Sequence, residues 1–190
     1  MTKEYNMYKF APASETEQTV FGAARPGYSN SKVSEWIEFM QNQDIDRVCC
    51  LLTQSQLSKY SDLLNNYKQK FGEEKVCWTP IKDFHFVERN TLIEKTLPFL
   101  IAAEQQNKRA VVHCSGGIGR TGQILSAWLV AKRGLSNKEA ISVVKSTGRN
   151  PHEAVIVTTI LTGKNPWKVA KSFDILLDDC RNTLKTSSES

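Results

Sequence analysis

Apolar positions change period several times along the chain, and each change marks an element. Val33, Trp36, Ile37 and Met40 fall at helical spacing behind Ser31, a candidate cap, which predicts a helix from about Val33 to Gln43. Arg47 to Thr53 is a short, nearly continuous apolar run, as in a strand covered on both faces. Leu57, Tyr60, Leu63, Leu64, Tyr67 and Phe71 return to the helical period, and Gly72 closes them. Lys75 to Thr79 predicts another strand, and a loop runs from Pro80 through Asn90. Leu92, Ile93, Leu97, Leu100 and Ile101 then predict a helix, with Pro98 as a source of a kink. Ala110 to His113 reads as a buried strand and Gln123 to Val130 as a helix that ends at Gly134, with a glycine-rich loop between them. Ser136 and Glu139 form a capping box for a helix whose apolar face is Ala140, Ile141, Val143 and Val144 and which stops near Gly148. Asn165 followed by Pro166 opens the last helix, which carries Val169, Phe173, Leu176, Leu177, Cys180 and Leu184.

Strands that alternate with helices in this way predict an α/β fold, with a central, mostly parallel sheet of four to five strands flanked by helices on both faces. At 190 residues, 40% of them hydrophobic, the chain is long enough for one well-packed core and too short for two ordinary domains. We therefore expect a single domain over residues 21–185, preceded by an N-terminal extension or domain edge over 1–20 and followed by a disordered tail, 186–190.

Charge and composition narrow the chemistry. The net charge of +5 is spread along the chain, which suits an anionic substrate, and no basic stretch falls in a nucleic-acid-binding pattern, so no nucleic-acid partner is expected. The first residues are polar and no apolar run is long enough for a signal peptide or a membrane span, so the expectation is a cytoplasmic protein without a membrane partner; separately, a monomer is expected. Five cysteines form no disulfide or zinc spacing, and three histidines sit at no ligand spacing from one another. Metal-free chemistry without a cofactor is expected.

The segment that stands out is His113-Cys114-Ser115-Gly116-Gly117-Ile118-Gly119-Arg120-Thr121-Gly122, where a buried strand turns into a helix. Unpaired amides and the positive end of the helix dipole make such a turn an anion site. Gly116, Gly117 and Gly119 let the amides from Ser115 to Arg120 curl toward one centre, which fits a tetrahedral anion such as phosphate. A cysteine at the mouth of this nest, with a guanidinium beside it, is favoured as a thiolate nucleophile. Arg120 offers two parallel donors to two phosphoryl oxygens, a geometry that lysine cannot supply. Thr121 is placed to give its hydroxyl to the sulfur. A Walker loop would need Gly-Lys before Ser or Thr, and a zinc site would need more ligands.

The segment closely resembles the active-site signature of the protein tyrosine phosphatase superfamily: His-Cys, five residues, Arg, then Ser or Thr and Gly. The short chain is most similar to the compact dual-specificity branch, over roughly Phe21 to Leu161. The resemblance implies that branch's sheet-and-helix fold and a two-step mechanism through a phosphocysteine intermediate. It also implies that His113 hydrogen-bonds within the loop and orders it rather than transferring protons.

Expelling an alkoxide or phenolate requires a proton at the leaving oxygen, so a carboxylic acid is expected on a loop above the nest. Asp83 is the first candidate: it follows a strand and stands 31 residues before Cys114, in the order and spacing that the family uses. Lys82 departs from the family, which often has proline before this aspartate. Glu88 is the alternative. Arg149-Asn150-Pro151 is either a second loop beside the pocket or a helix-terminating turn, and Arg25-Pro26-Gly27-Tyr28 either lines the entrance or is an ordinary turn. His85 and His152 read as structural or surface residues. Cys49 and Cys50 read as core residues ahead of a resolving thiol for Cys114. Ser115, Gly116, Gly117 and Ile118 carry no charge, whereas the superfamily's phosphoinositide phosphatases often have lysines there, so the expected partner is a phosphorylated protein, with phosphotyrosine and by family analogy also phosphoserine and phosphothreonine as substrates. A non-protein phosphoester, such as a phosphoinositide or an RNA 5′ phosphate, is the second expectation, and a phosphate-binding module without turnover the third.

Overall fold

The structure, a computed structural model, describes residues 7–163 and 165–186. In chain order it contains β1 (Ala11–Pro12), β2 (Val20–Ala24), α1 (Asn30–Asn42), β3 (Ile45–Cys50), α2 (Gln54–Leu57), α3 (Leu63–Phe71) and β4 (Val76–Trp78). There follow α4 (Arg89–Thr91), a π-helical turn (Leu92–Thr96), α5 (Leu97–Gln105), β5 (Arg109–Cys114), α6 (Gly119–Arg133), α7 (Asn137–Ser146), α8 (Glu153–Thr162) and α9 (Pro166–Thr186). Among the described residues no helix is long and apolar enough to cross a membrane. The expected tail, 186–190, lies outside the described residues except for Thr186, which closes α9, and the side chain of Leu184 is likewise outside them.

The strands form one sheet in the order β1-β2-β5-β3-β4, parallel except for the antiparallel edge pair β1–β2. The apolar runs explain the burial on both faces. Val20, Cys49, Ala110, Val112 and Cys114 join a core under α5, α6, α7 and α9, while Phe21, Ala23, Val48, Cys50 and Val111 join a second core under α1 and α3. β5 is central, and Cys114 is its last residue, opposite Ala24 of β2. The carboxyl ends of β2 and β3 flank it, with that of β4 beyond β3, and this end is where parallel α/β sheets place their ligands.

The N-terminal segment is tied down by a buried carboxylate. Glu17 accepts from Arg133 at 2.9 and 3.0 Å and from Trp128 Nε1 at 3.0 Å. Burial alone would raise its pKa, but these bonds and one from the Thr19 amide hold the carboxyl below its ordinary range.

The elements depart from the periodicity in instructive places. The helix expected through Leu57 and Phe71 is two helices, because Asp62 accepts from the Asn65 amide and caps a new start. Tyr60 falls in the break, with its hydroxyl donating to Pro26 O at 2.8 Å. The cap of α1 is Ser29 rather than Ser31. Pro98 sits in the first turn of α5, which continues directly from the π turn, and the irregularity lies in that turn just before the proline, where Thr96 Oγ1 bonds Thr91 O. The capping box at Ser136 and the Asn165-Pro166 start are both present.

Candidate active site

From the end of β5 the chain turns through Ser115 to Ile118 and enters α6 at Gly119. Gly117 has φ of +68°, and a Cβ there would lie 2.6 Å from backbone atoms of Ala23 and Ala24, so both the turn and the close approach of β2 require glycine. Gly116 meets no such limit, since its nearest contact is 4.0 Å away at Ile118. The neighbouring strand end is laced to the loop: Arg25 N donates to Cys114 O at 2.9 Å, and Leu51 N donates to His113 O at 2.9 Å. Cys114 therefore stands at a fixed height, buried, with Thr121 Oγ1 donating to its sulfur at 3.1 Å.

Arg120 folds back over the loop from the first turn of α6. Its Nη2 donates to Ser115 Oγ at 3.0 Å, and its Nη1 donates to Ile81 O at 2.9 Å and Gln56 Oε1 at 3.0 Å. The same Nη2 lies 2.5 Å from a carboxylate oxygen of Asp83. The structure thus brings Cys114, Ser115, Arg120, Thr121 and Asp83 together, although Asp83 comes from a loop beyond β4. Its side chain is half exposed whereas that of Arg120 is 5% exposed, so the guanidinium is fixed and the carboxylate is the member with freedom to move.

The loop that carries Asp83 is set by local bonds. His85 N donates to Lys82 O at 3.2 Å in a tight turn, and Phe84 takes φ of +60°, an uncommon backbone for a bulky residue. His85 Nδ1 lies 2.8 Å from Asp83 O, which gives that ring a structural part in the turn. The base of the loop is held by Gln123 of α6, 1% exposed, which accepts from Val87 N at 3.0 Å and donates to His85 O at 3.1 Å. Glu88 stands apart at the start of α4 and lines a separate depression with Pro80, Ile81 and Lys82.

Gln56, which no sequence pattern marked, is the hub of the site. Its Nε2 donates to Asp83 Oδ2 at 2.7 Å and to Ser115 Oγ at 3.0 Å, while its Oε1 accepts from Arg120 and from the Thr53 amide. The amide joins the Asp83 loop to the Cys114 loop. The only available hint was a polar residue three positions after Thr53 at a helix start, a capping-box spacing.

His113 differs from its expected role. Its ring packs edge-on against Trp36 and Tyr67, and neither nitrogen makes a well-formed hydrogen bond. Burial, opposed by the backbone at Cys114, pushes its pKa down to about 3, so it supports the loop as a neutral, packed ring. Cys50 is also buried, and burial pushes its thiol up to about 12, the behaviour of a core cysteine. Arg25 stacks over Tyr28 at 3.9 Å and donates to Pro26 O and Tyr60 Oη, so this segment is a built wall beside the loop. His152 packs on Phe173 at the start of α8.

The profile described as "Dual specificity phosphatase, catalytic domain" matches residues 28–158. The chain belongs to the dual specificity phosphatase family. Dual specificity protein phosphatase 5 of Rattus norvegicus is 25% identical to it over 68 residues, 36% of this chain and 18% of that protein. The Homo sapiens protein of the same name is 26% identical over 68 residues, again 18% of its length. The match therefore covers a small part of these relatives. Among solved structures, Tk-PTP in the active form shares 26% identity at a TM-score of 0.61, covering 81% of this chain and 99% of that one. PTPMT1 in complex with PI(5)P superposes with a TM-score of 0.66 over 94% of this chain and 98% of that one, at 12% identity, a likeness of fold alone.

Within this dual specificity phosphatase domain, Gln56→Ala is expected to lower kcat/KM for an aryl phosphate about 10-fold, because Asp83 and Arg120 lose a shared partner that aligns them. Steady-state kinetics beside a thermal melt would check this. An unchanged kcat/KM would make Gln56 only a helix cap.

Proposed function

We propose that this domain hydrolyses phosphotyrosine, and also phosphoserine and phosphothreonine, in proteins through a phosphocysteine intermediate on Cys114. In the first step the Cys114 thiolate attacks phosphorus in line with the ester oxygen. The S–P bond forms as the P–O bond breaks, and the Asp83 carboxylic acid gives its proton to the departing oxygen. The amides from Ser115 to Arg120 and the Arg120 guanidinium carry the phosphoryl oxygens through this displacement. In the second step water attacks phosphorus and passes a proton to the Asp83 carboxylate. The S–P bond breaks, the Thr121 hydroxyl stabilises the leaving thiolate, and inorganic phosphate is released.

The observation that carries this reading is the hydroxyl of Thr121 bonded to the Cys114 sulfur at the base of the loop, with Arg120 and Asp83 paired at its mouth. A bound phosphoryl group competes with Asp83 for the same guanidinium. Its arrival frees the carboxyl to turn toward the leaving oxygen. The uncharged run Ser115 to Ile118 favours a protein substrate over a polyanionic lipid headgroup.

One feature favours a second reading. A groove of about 840 Å³ adjoins Asp83, walled by Phe84, Phe86, Val157, Leu161 and Val169 with Lys168 at its side. Its apolar walls suit a phosphoester with a hydrophobic body, such as a phosphoinositide, and PTPMT1, a fold neighbour, has been solved with PI(5)P.

Phosphate release would be compared at matched concentrations, with a chelator present, from phosphotyrosyl and phosphothreonyl peptides, phosphoinositide vesicles and a 5′-phosphorylated RNA. The expected order has the peptides first. Faster release from the vesicles would replace the protein reading with the lipid one. No release from any substrate would make the domain a phosphate-binding module.

A further inference from the structure

Arg149, part of a segment that sequence left as either a pocket loop or a helix-terminating turn, is neither exposed nor ion-paired among the described residues. It is 3% exposed and donates only to uncharged groups: Thr147 O at 2.7 Å, Thr147 Oγ1 at 3.4 Å, Lys9 O at 2.8 Å and Gly22 O at 2.6 Å. Its Nε–H is buried with no hydrogen-bond partner. A buried cation without a counter-charge is costly, so its placement calls for an anion nearby.

The geometry indicates which anion. Gly22 of β2 is the point where two side chains meet: a Cβ there would lie 2.5 Å from Arg149 Nε and 2.8 Å from Thr121 Cγ2. The guanidinium and Thr121 therefore lie side by side over a bare glycine, and the hydroxyl of Thr121 is on the Cys114 sulfur. Burial draws the Arg149 pKa down to about 10, with the charge at Cys114 the influence that raises it, so the guanidinium stays cationic at neutral pH.

We propose that Arg149 is a positioning residue that stabilises the Cys114 thiolate from behind the loop, while Arg120 works at its mouth. The proposal rests on Cys114 being the nucleophile. The groups around the Cys114 loop are Arg120 and Thr121 from α6, Arg25 beyond β2, His113 within β5, Cys50 from β3, Asp83 from the loop after β4, and Glu153 of α8, whose carboxylate lies against Gly119 rather than on Arg149. Of the cations, Arg120 is paired with Asp83, and Arg25 is turned to Pro26 O and Tyr60 Oη. His113 and Cys50 are held neutral by burial. Arg149 is left as the buried cation whose charge no carboxylate offsets. The turn geometry of Gly148-Arg149-Asn150-Pro151 then serves the loop by delivering this charge.

The test is the pH dependence of Cys114 alkylation by iodoacetamide, read at the Cys114 peptide by mass spectrometry, in wild type, Arg149→Met, Arg149→Gln and Arg149→Lys, each checked by circular dichroism and a melt. Removing the charge in Met or Gln is expected to move the alkylation midpoint up by about one pH unit, a roughly tenfold slower reaction on the acid side, and Lys is expected to restore most of it. A folded Met or Gln variant with a wild-type midpoint overturns the proposal. So does a Lys variant displaced as far as Met, which would reduce Arg149 to a packing role. If only Lys folds, its midpoint must stay within about half a unit of wild type. Alkylation is read without turnover, so the two readings fail separately. Wild-type activity that survives Cys114 alkylation removes Cys114 as nucleophile, whereas activity lost on alkylation with an unmoved midpoint removes only the part given to Arg149.

Discussion

Replacing Cys114 with serine is expected to lower kcat by about 10⁴-fold or more while leaving the Kd for a phosphorylated peptide within about threefold. The substitution changes one atom at the end of β5. The loop amides, the Arg120 guanidinium and the turn at Gly117 are untouched, so the donors that hold the phosphoryl group stay in place. On the proposed mechanism what is lost is the nucleophile, because a serine hydroxyl is not ionised near neutral pH and His113, a neutral ring packed against Trp36 and Tyr67, does not serve it as a base. Four powers of ten correspond to about 5.5 kcal/mol of transition-state stabilisation, which is within what removal of a covalent path costs elsewhere. Rapid acid quench of wild type with labelled substrate should trap label on the protein, and the serine variant should bind substrate and trap none. Residual turnover within a hundredfold of wild type would mean that the phosphoryl group is not passed to Cys114.

How much of this site could be read from the chain follows from how its parts are assembled. His113 to Gly122 is contiguous, and a strand, a glycine-rich turn and a helix start write the loop around Cys114 into ten successive residues. Asp83 could be proposed from order and spacing, but its pairing with Arg120 depends on β4 lying beside β3, which in turn lies beside β5, a property of the sheet. Gln56 and Gln123 were out of reach for a similar reason. An amide that bridges two loops leaves no periodic trace, and its partners are remote in sequence. Arg149 could be read only as part of a segment that was either a loop beside the pocket or a helix-ending turn, since its burial depends on the bare Gly22 of β2.

The same logic accounts for the elements that periodicity missed. β1 is two residues long and β2 is Val-Phe-Gly-Ala-Ala, too short and too glycine-broken to stand out, although β2 frames the Cys114 loop. α8 is rich in β-branched residues with low helix propensity, and it lies against α9 with Ile156, Ile160 and Leu161 exposed. A usable signal was present at its end, where Gly163 takes the left-handed conformation that closes helices. In contrast, α6 is buried along most of its length and begins at Gly119 rather than Gln123, because the glycine-rich loop runs directly into its first turn.

The pairing of Asp83 with Arg120 leads to the second large effect. Asp83→Asn is expected to slow hydrolysis of phenyl phosphate by about 10²- to 10³-fold and of dinitrophenyl phosphate by less than about fivefold. Phenolate is a poor leaving group that needs a proton as the P–O bond breaks, whereas dinitrophenolate leaves unaided. Asparagine can still accept from Gln56 and keeps the turn at Phe84, so the loss isolates proton transfer rather than loop position. A plot of log kcat/KM against leaving-group pKa should therefore be steeper for the variant than for wild type. A second consequence runs the other way. Without the Asp83 carboxylate, Arg120 loses its anionic partner at 2.5 Å, so inorganic phosphate should inhibit the variant more tightly than wild type. Equal losses across the ester series would remove the proton-donor role from Asp83, and the same series on Glu88→Gln would then test the other carboxylate. Tighter phosphate binding with parallel plots would leave Asp83 a different part, that of a charge which competes with the substrate for Arg120 and opens the nest only to a phosphoryl group able to displace it.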